Sequence, residues 1–178
     1  MLNMQRDRGP LAPTVGEPFR LVDVDEDHAK AVAFNMLFLV WRRRTLGPAY
    51  RRGMTLVRDL SARFPEGVGV CQLVEVNASP PDSDTRRAFV EFMKIDGVKH
   101  FSVLHDGTGF KAASVRAVMS SVHMLARPKF KFAVHNSVLA AAAWHAAAQA
   151  ELGRRETPEI IERVIRGLRE LHRDRYPD

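Results

Sequence analysis

VGVCQLVEVNASPPDSDTRRAFVEFMKIDGVKHFSVL, from Val68 to Leu104, decides the fold. Val68 to Val76 is apolar and rich in β-branched residues, as a strand buried on both faces must be. Ser79-Pro80-Pro81-Asp82 then makes a sharp turn with helix-start chemistry, because proline suits the first helical turn and serine or aspartate the cap. The helix that follows reaches Met93 and carries Ala88, Phe89, Phe92 and Met93 on its buried side. Lys99 to Leu104 (KHFSVL) is the next strand. A strand, a helix and a strand in this order form a parallel crossover unit.

The pattern continues on both sides of this unit. Upstream, Phe19 to Val24 (FRLVDV) alternates as a half-buried strand does. Ala31 to Trp41 reads as one central strand, and the acidic stretch Asp23 to Asp27 with His28 makes the turn before it. Pro48 opens a helix that runs to about Phe64, with Tyr50, Met54, Val57, Leu60 and Phe64 on one side. Pro65 and Gly67 stop it. Downstream, Asp106-Gly107-Thr108-Gly109 turns into a helix from Phe110 to about Leu125, and Lys129 to Val134 alternates as a strand. Ser137 caps a helix with an alanine-rich core, Ala140 to Ala148, which Trp144 is expected to anchor. Thr157-Pro158 starts a last helix in which Ile161, Val164, Leu168 and Leu171 share a side, with Ile160 and Ile165 beside them. Arg163, Arg166, Arg169 and Glu170 are expected to cover the opposite side.

The predicted class is α/β: a mostly parallel sheet with an N-terminal β-hairpin, flanking helices and an extra C-terminal helix. Residues 1–18, with three prolines and little periodicity, read as a flexible arm. Residues 19–150 form the α/β domain. Residues 151–178 form the amphipathic helix, packed on that domain, on a second copy in a homodimer, or on another protein.

A chain of 178 residues with 46% apolar and 27% charged residues buries a real core without covalent staples. Cys71 is the single cysteine, so no internal disulfide forms. The N-terminus has no apolar core of a secretory signal, and the longest apolar run, Phe34 to Trp41, is too short to span a bilayer. A cytoplasmic location is expected.

The formal charge of +6 sits in one place. Arg42, Arg43, Arg44, Arg51, Arg52, Arg58 and Arg63 face a single acid, Asp59, between residues 42 and 63. This basic face is expected to recruit a protein with an acidic surface. No stacking aromatics and no DNA- or RNA-binding motif accompany it, which argues against nucleic acid.

Motifs for chemistry are sparse. The seven histidines are scattered, no HxxxH pair shares a helix and none has a cysteine partner, so no metal site is expected. No GxSxG elbow is present. DGTGF lacks both the GK[ST] ending of a phosphate loop and the third glycine of a dinucleotide site. No cofactor is expected. Asp82 and Asp84 flank Ser83 where acids favour a helix N-terminus.

The element order, with VGVCQLVEVN–SPPDSDTRRAF, KHFSVLHDGTGFKAASVRAV and KFKFAVHNSVLAAAAWHA, resembles the STAS-like family of anti-anti-sigma-factor-like domains, in a divergent bacterial branch. The resemblance covers Phe19 to Ala148. It implies a non-enzymatic module that docks onto partner proteins in a regulatory pathway. It also implies a phospho-acceptor serine in the loop after a central strand, in a D-[ST]-x-G context. Ser79 occupies that loop, without the aspartate before it or the glycine after it. The docking surface expected on this reading is Ser79, Asp82, Ser83 and Asp84, with Gly107, Thr108, Gly109 and Lys111. Two alternatives stand beside it. One is a pocket for a small ligand, an anion or a lipid headgroup at the strand ends near His105 and Gly109. The other is a hydrolase using a serine or Cys71 with a histidine.

Overall fold

A computed structural model describes residues 18–177, apart from the side chains of residues 110 and 111. The arm expected at residues 1–18 therefore lies, except for Pro18, outside the described residues. The chain is α/β. Its strands are β1 (Arg20–Val24), β2 (His28–Ala33), β3 (Met36–Trp41), β4 (Val68–Val74), β5 (Val98–Leu104) and β6 (Lys131–His135). They lie side by side in chain order in one sheet. β1, β2 and β3 pair antiparallel, while β3 to β6 run parallel.

Helices α1 (Gly47–Arg63), α2 (Ser83–Phe92) and α3 (Gly109–Ala126) connect the parallel strands. Right-handed crossovers that step across a sheet in one direction put every connecting helix on the same face. The core follows this rule. Leu37, Leu39, Val70, Phe101 and Val103 pack with Tyr50, Val57, Phe89, Phe92 and Met119 on that face. The opposite face is covered by α4 (Val138–Glu151) and α5 (Pro158–Arg175). There Ala29, Ala31, Phe38, Val40 and Leu73 meet Ala141, Ala142, Ile161, Val164, Ile165 and Leu168.

The stretch Ala31 to Trp41, read as one strand, is two. Phe34 and Asn35 form a two-residue turn between Ala33 and Met36. Phe34 takes a left-handed backbone with φ 57°, which a bulky side chain rarely adopts. The conformation is held by Asn35, whose Nδ2 donates to the Gly67 carbonyl at 2.7 Å while its own carbonyl accepts from Gly69 at 3.1 Å. No glycine marks the turn, so the apolar run hid it.

The last helix packs on its own domain. Its aliphatic stripe is buried on β2 and β3, where alanines at 29 and 31 make room. Ile160 alone of the six expected aliphatic residues counts as exposed, at 36%. Arg169 departs from the solvent side expected for it. Its guanidinium meets Glu75 with two contacts of 2.6 Å and Asp106 at 2.6 Å. Arg173 adds a bond to Glu75 at 3.2 Å, and His172 Nε2 donates to the Asp25 carbonyl at 2.8 Å. Among the described residues no helix is long and apolar enough to cross a membrane.

Leu168→Ala is expected to cost about 2–5 kcal/mol, the usual range for a buried leucine, whereas Ile160→Ala should stay within about 0.5 kcal/mol. Urea unfolding of the two variants measures both values.

Candidate functional site

Three strands of the parallel array end at the same edge, and a cavity of about 290 Å³ opens there between the sheet and α1, α2 and α3. Its walls are Tyr50, Gln72, Val74, Ala78, Phe89, Val115, Val118 and Met119, with Thr45, Thr85 and His105 near the strand ends. The apolar lining has a simple origin. These positions continue the same alternation that buries Val70 and Phe101 below them. Their helices begin only after turns, which leaves the last layer of the core unfilled.

The polar groups in the wall are mostly tied to one another. Tyr50 Oη donates to Gln72 Oε1 at 3.0 Å, and burial pushes its phenol well above the usual tyrosine range. Thr85 Oγ1 donates to the Thr45 carbonyl at 3.1 Å. The His105 Nδ1 lies 2.8 Å from the Val74 carbonyl, which can only accept, so Nδ1 carries the proton. His105 Nε2 and Thr45 Oγ1 are buried without a partner.

The expected docking residues gather at this edge. Ser79, with Pro80 and Pro81, forms part of the cavity mouth, and Ser79 is exposed. Its backbone N–H donates to the Arg43 carbonyl at 2.6 Å. Ser79 does not cap the helix. Asp82 does, accepting from the Thr85 N–H at 2.8 Å and holding its own carboxyl below the usual range through that bond. Ser83 is exposed at the first turn of α2, and Asp84 pairs with Arg51 at 3.1 Å. Gly107 lies against the His105 ring and Val76, where a Cβ would come within 2.6 Å of His105 Nε2. Thr108 and Gly109 are exposed beside it, and Gly109 has φ 71°. The two loops are thus neighbours. The Lys111 side chain lies outside the described residues.

The basic face is different from its expected form. Arg42 is buried. Arg43 pairs with Glu26 at 3.0 Å, Arg44 with Asp27 at 2.7 Å, and Arg52 with Asp23 at 2.9 Å. Acids of β1 and of the turn before β2 therefore neutralise much of the charge, although Arg44, Arg51 and Arg52 stay exposed along with Arg58 and Arg63. The same Asp23 meets Lys30, whose side chain is fully buried beneath α1, and burial lowers that amine to about 8. Asp23 itself feels burial, which raises its pKa, but bonds from His28, Lys30 and Arg52 outweigh this and hold it ionised.

On the other face lies a polar chain that the sequence reading missed. Ser102 Oγ is 2.7 Å from His145 Nε2, and His145 Nδ1 is 2.8 Å from His100 Nδ1. Gln149 Nε2 donates to Asn35 Oδ1 at 2.5 Å. Ser102 and His145 are both 0% exposed, so the pair has a nucleophile and a base but no surface open to a substrate. Cys71 stands 3.8 Å from Ser102, and burial pushes its thiol up to about 12. Chemically the arrangement holds hydrogen bonds between neutral groups. Trp144, expected to anchor α4, is half-buried, and His145 takes that place. The signal was the four-residue spacing of His145 and Gln149, which puts two polar groups on the alanine face that meets the sheet. Among the described residues no cluster of histidine, cysteine and carboxylates suits a metal ion.

No family model matches the chain, and no curated protein or solved structure matches it.

Burial lowers the His100 imidazole to about 4 and, with the neighbouring His100, lowers His145 well below its ordinary value. An unfolded histidine titrates near 6.5. Between those values the unfolded chain takes up protons that the folded one refuses. The stability is therefore present in full above pH ~6.5 and falls as the pH drops towards 4, by up to about 1.4 kcal/mol per pH unit for each histidine. Urea midpoints across this window should show the slope, and His100→Gln or His145→Gln should flatten it.

Proposed function

We propose that the chain is a non-enzymatic binding module, which takes a small and mainly apolar ligand in the cavity at the strand ends. The observation that carries this reading is the cavity itself. It holds about 290 Å³ of space between the sheet and three helices, at the carboxyl edge of the parallel strands. That edge is where open α/β sheets keep their ligands. Burial of an apolar molecule there removes its surface from water and fills the unfilled layer of core. The buried Nε2 of His105 and Oγ1 of Thr45 add unused hydrogen-bonding groups within the same walls.

Docking to a partner protein is the second reading, and it follows the STAS-like resemblance. It is favoured by the exposed rim around the cavity mouth, where Ser79, Asp82, Ser83 and Asp84 stand near Gly107, Thr108 and Gly109, with the 40% exposed Val76 between the two loops. Phosphorylation of Ser79 would place about two negative charges on this rim. The rim is a better partner surface than the arginine face, whose charge is largely paired. The two readings join naturally, since a ligand in the cavity supports the loops that form the rim.

1-Octanol, with nine non-hydrogen atoms, is a probe of fitting size. At a hundredfold excess over its Kd it should stabilise the protein by about 2.7 kcal/mol, read as a rise in Tm. Val118→Phe, which fills the cavity from α3, should abolish the shift. A wild-type Tm that octanol leaves unchanged would sink the ligand reading. For the docking reading, a partner captured by the wild type should be lost on Ser79→Asp. Capture unaffected by that change removes Ser79 from the surface.

A further inference from the structure

We propose that the ligand is an amphipathic anion, a medium-chain carboxylate, whose chain fills the apolar cavity and whose carboxylate sits against Arg116, His135 and Asn136. The inference rests on the ligand reading of the cavity and adds the identity of its head group.

A second cavity, of about 240 Å³, adjoins the first. The two meet at His105 and Val115, which belong to both walls. Their chemistry differs. The first is lined almost wholly by apolar atoms and carries the side chains of Phe89, Val118 and Met119. The second brings together the guanidinium of Arg116, the amide of Asn136 and the rings of His135 and His105. Among the described residues no carboxylate belongs to its wall. The acids nearest in the chain are already engaged, because Arg169 binds both Glu75 and Asp106 at 2.6 Å. Arg116 is exposed, and its positive charge faces no acid among the described residues of this wall.

One buried ring nitrogen points to a ligand independently of that charge. His135 Nε2 is buried without a partner, and its ring lines this cavity. The His105 backbone N–H is already used by the His135 carbonyl at 3.0 Å, and His105 Nε2 can only accept, because its Nδ1 carries the ring proton. A buried polar nitrogen left unpaired costs free energy that a bound polar group recovers. Burial keeps the His135 ring below its ordinary pKa and therefore neutral near pH 7. Among the described residues the site thus offers the guanidinium of Arg116, with the His135 ring and the Asn136 amide beside it. That matches a carboxylate, which carries one charge and two oxygens for a planar guanidinium.

The volumes set the length. Liquid-like packing allows about 30 Å³ for each water-sized group, so 290 Å³ holds roughly ten non-hydrogen atoms. The seven alkyl carbons of octanoate fit within the first cavity and leave the carboxylate at the second.

The test is calorimetric titration of octanoate, 1-octanol and inorganic phosphate into the wild type and into Arg116→Gln. Arg116 is exposed on α3, so the variant keeps its fold, which circular dichroism checks. Octanoate should bind the wild type about tenfold more tightly than octanol. The variant should bind the two alike, with octanol unchanged, and phosphate alone should bind neither protein. Octanol binding without a preference for octanoate, or a preference that survives Arg116→Gln, overturns the head-group assignment and leaves the cavity reading standing. Phosphate binding more tightly than octanoate also overturns it, in favour of a free-anion site. Binding of neither octanoate nor octanol removes the cavity reading and this inference together.

Discussion

The right-handed crossover is the constraint on which the rest of this structure depends. Each strand from β3 to β6 is laid beside its predecessor in the same direction. Each connection must then cross the same face, and α1, α2 and α3 crowd there. The opposite face of the sheet is left apolar and uncovered by any connection. Ala29, Ala31, Phe38, Val40 and Leu73 on that face need a cover of their own. The chain supplies it after β6, with α4 and α5. The C-terminal helix is therefore part of the core.

The two layers are closed by different means. Beneath α1 and α2 the packing is aromatic, with Tyr50 4.8 Å from Trp41 and 5.1 Å from Phe89 between ring centroids. Beneath α4 it is made of alanine and a buried polar chain, in which His145 links Ser102 to His100 while His100 Nε2 stays without a partner. Small residues let the helix approach, and a close helix needs its few polar groups paired because water cannot reach them. Asn35 bonds both Gln149 of α4 and the Gly67 carbonyl, so one side chain joins the β2–β3 turn, the start of β4 and the second layer. Arg169 plays a similar part at the other edge, fastening α5 to the ends of β4 and β5 through Glu75 and Asp106.

These fastenings shape the chemistry of the strand ends. Carboxylates that would otherwise repel an anion there are held by α5, and those of the first turn are held by Arg43, Arg44 and Arg52. Among the described residues, Arg86 of α2 lines the first cavity and Arg116 of α3 the second. A basic total for the chain thus says little about where an anion or an acidic partner meets it. What matters is which arginines already have a carboxylate.

The segment Val68 to Leu104 and the first and last helices were legible because their signals are local. Alternation, helical spacing, a proline at a first turn and a glycine after a last turn depend on residues a few positions apart. The same logic failed at Phe34–Asn35, where a turn without glycine is held by distant partners. Between Ser79 and Asp82, both open as caps in the sequence, the structure chooses Asp82, because the two prolines between them push the helix start on. A pocket was expected at the strand ends near His105 and Gly109, because strand ends followed by helix starts can be located in a chain; His105 lines the cavity and Gly109 does not. The cavity's volume was not legible. It depends on how far Thr45, Val118 and Met119 stand from one another, and they belong to different elements. The pairing of Arg169, the burial of Lys30 and the contact of Ser102 with His145 were hidden for the same reason. By itself the sequence determined the elements, their order and the faces they bury, since these follow from local period and from the handedness of the chain. Only the tertiary structure decided which charges are neutralised, which polar groups are paired and where space is left, because each of these is a distance between residues far apart in the chain.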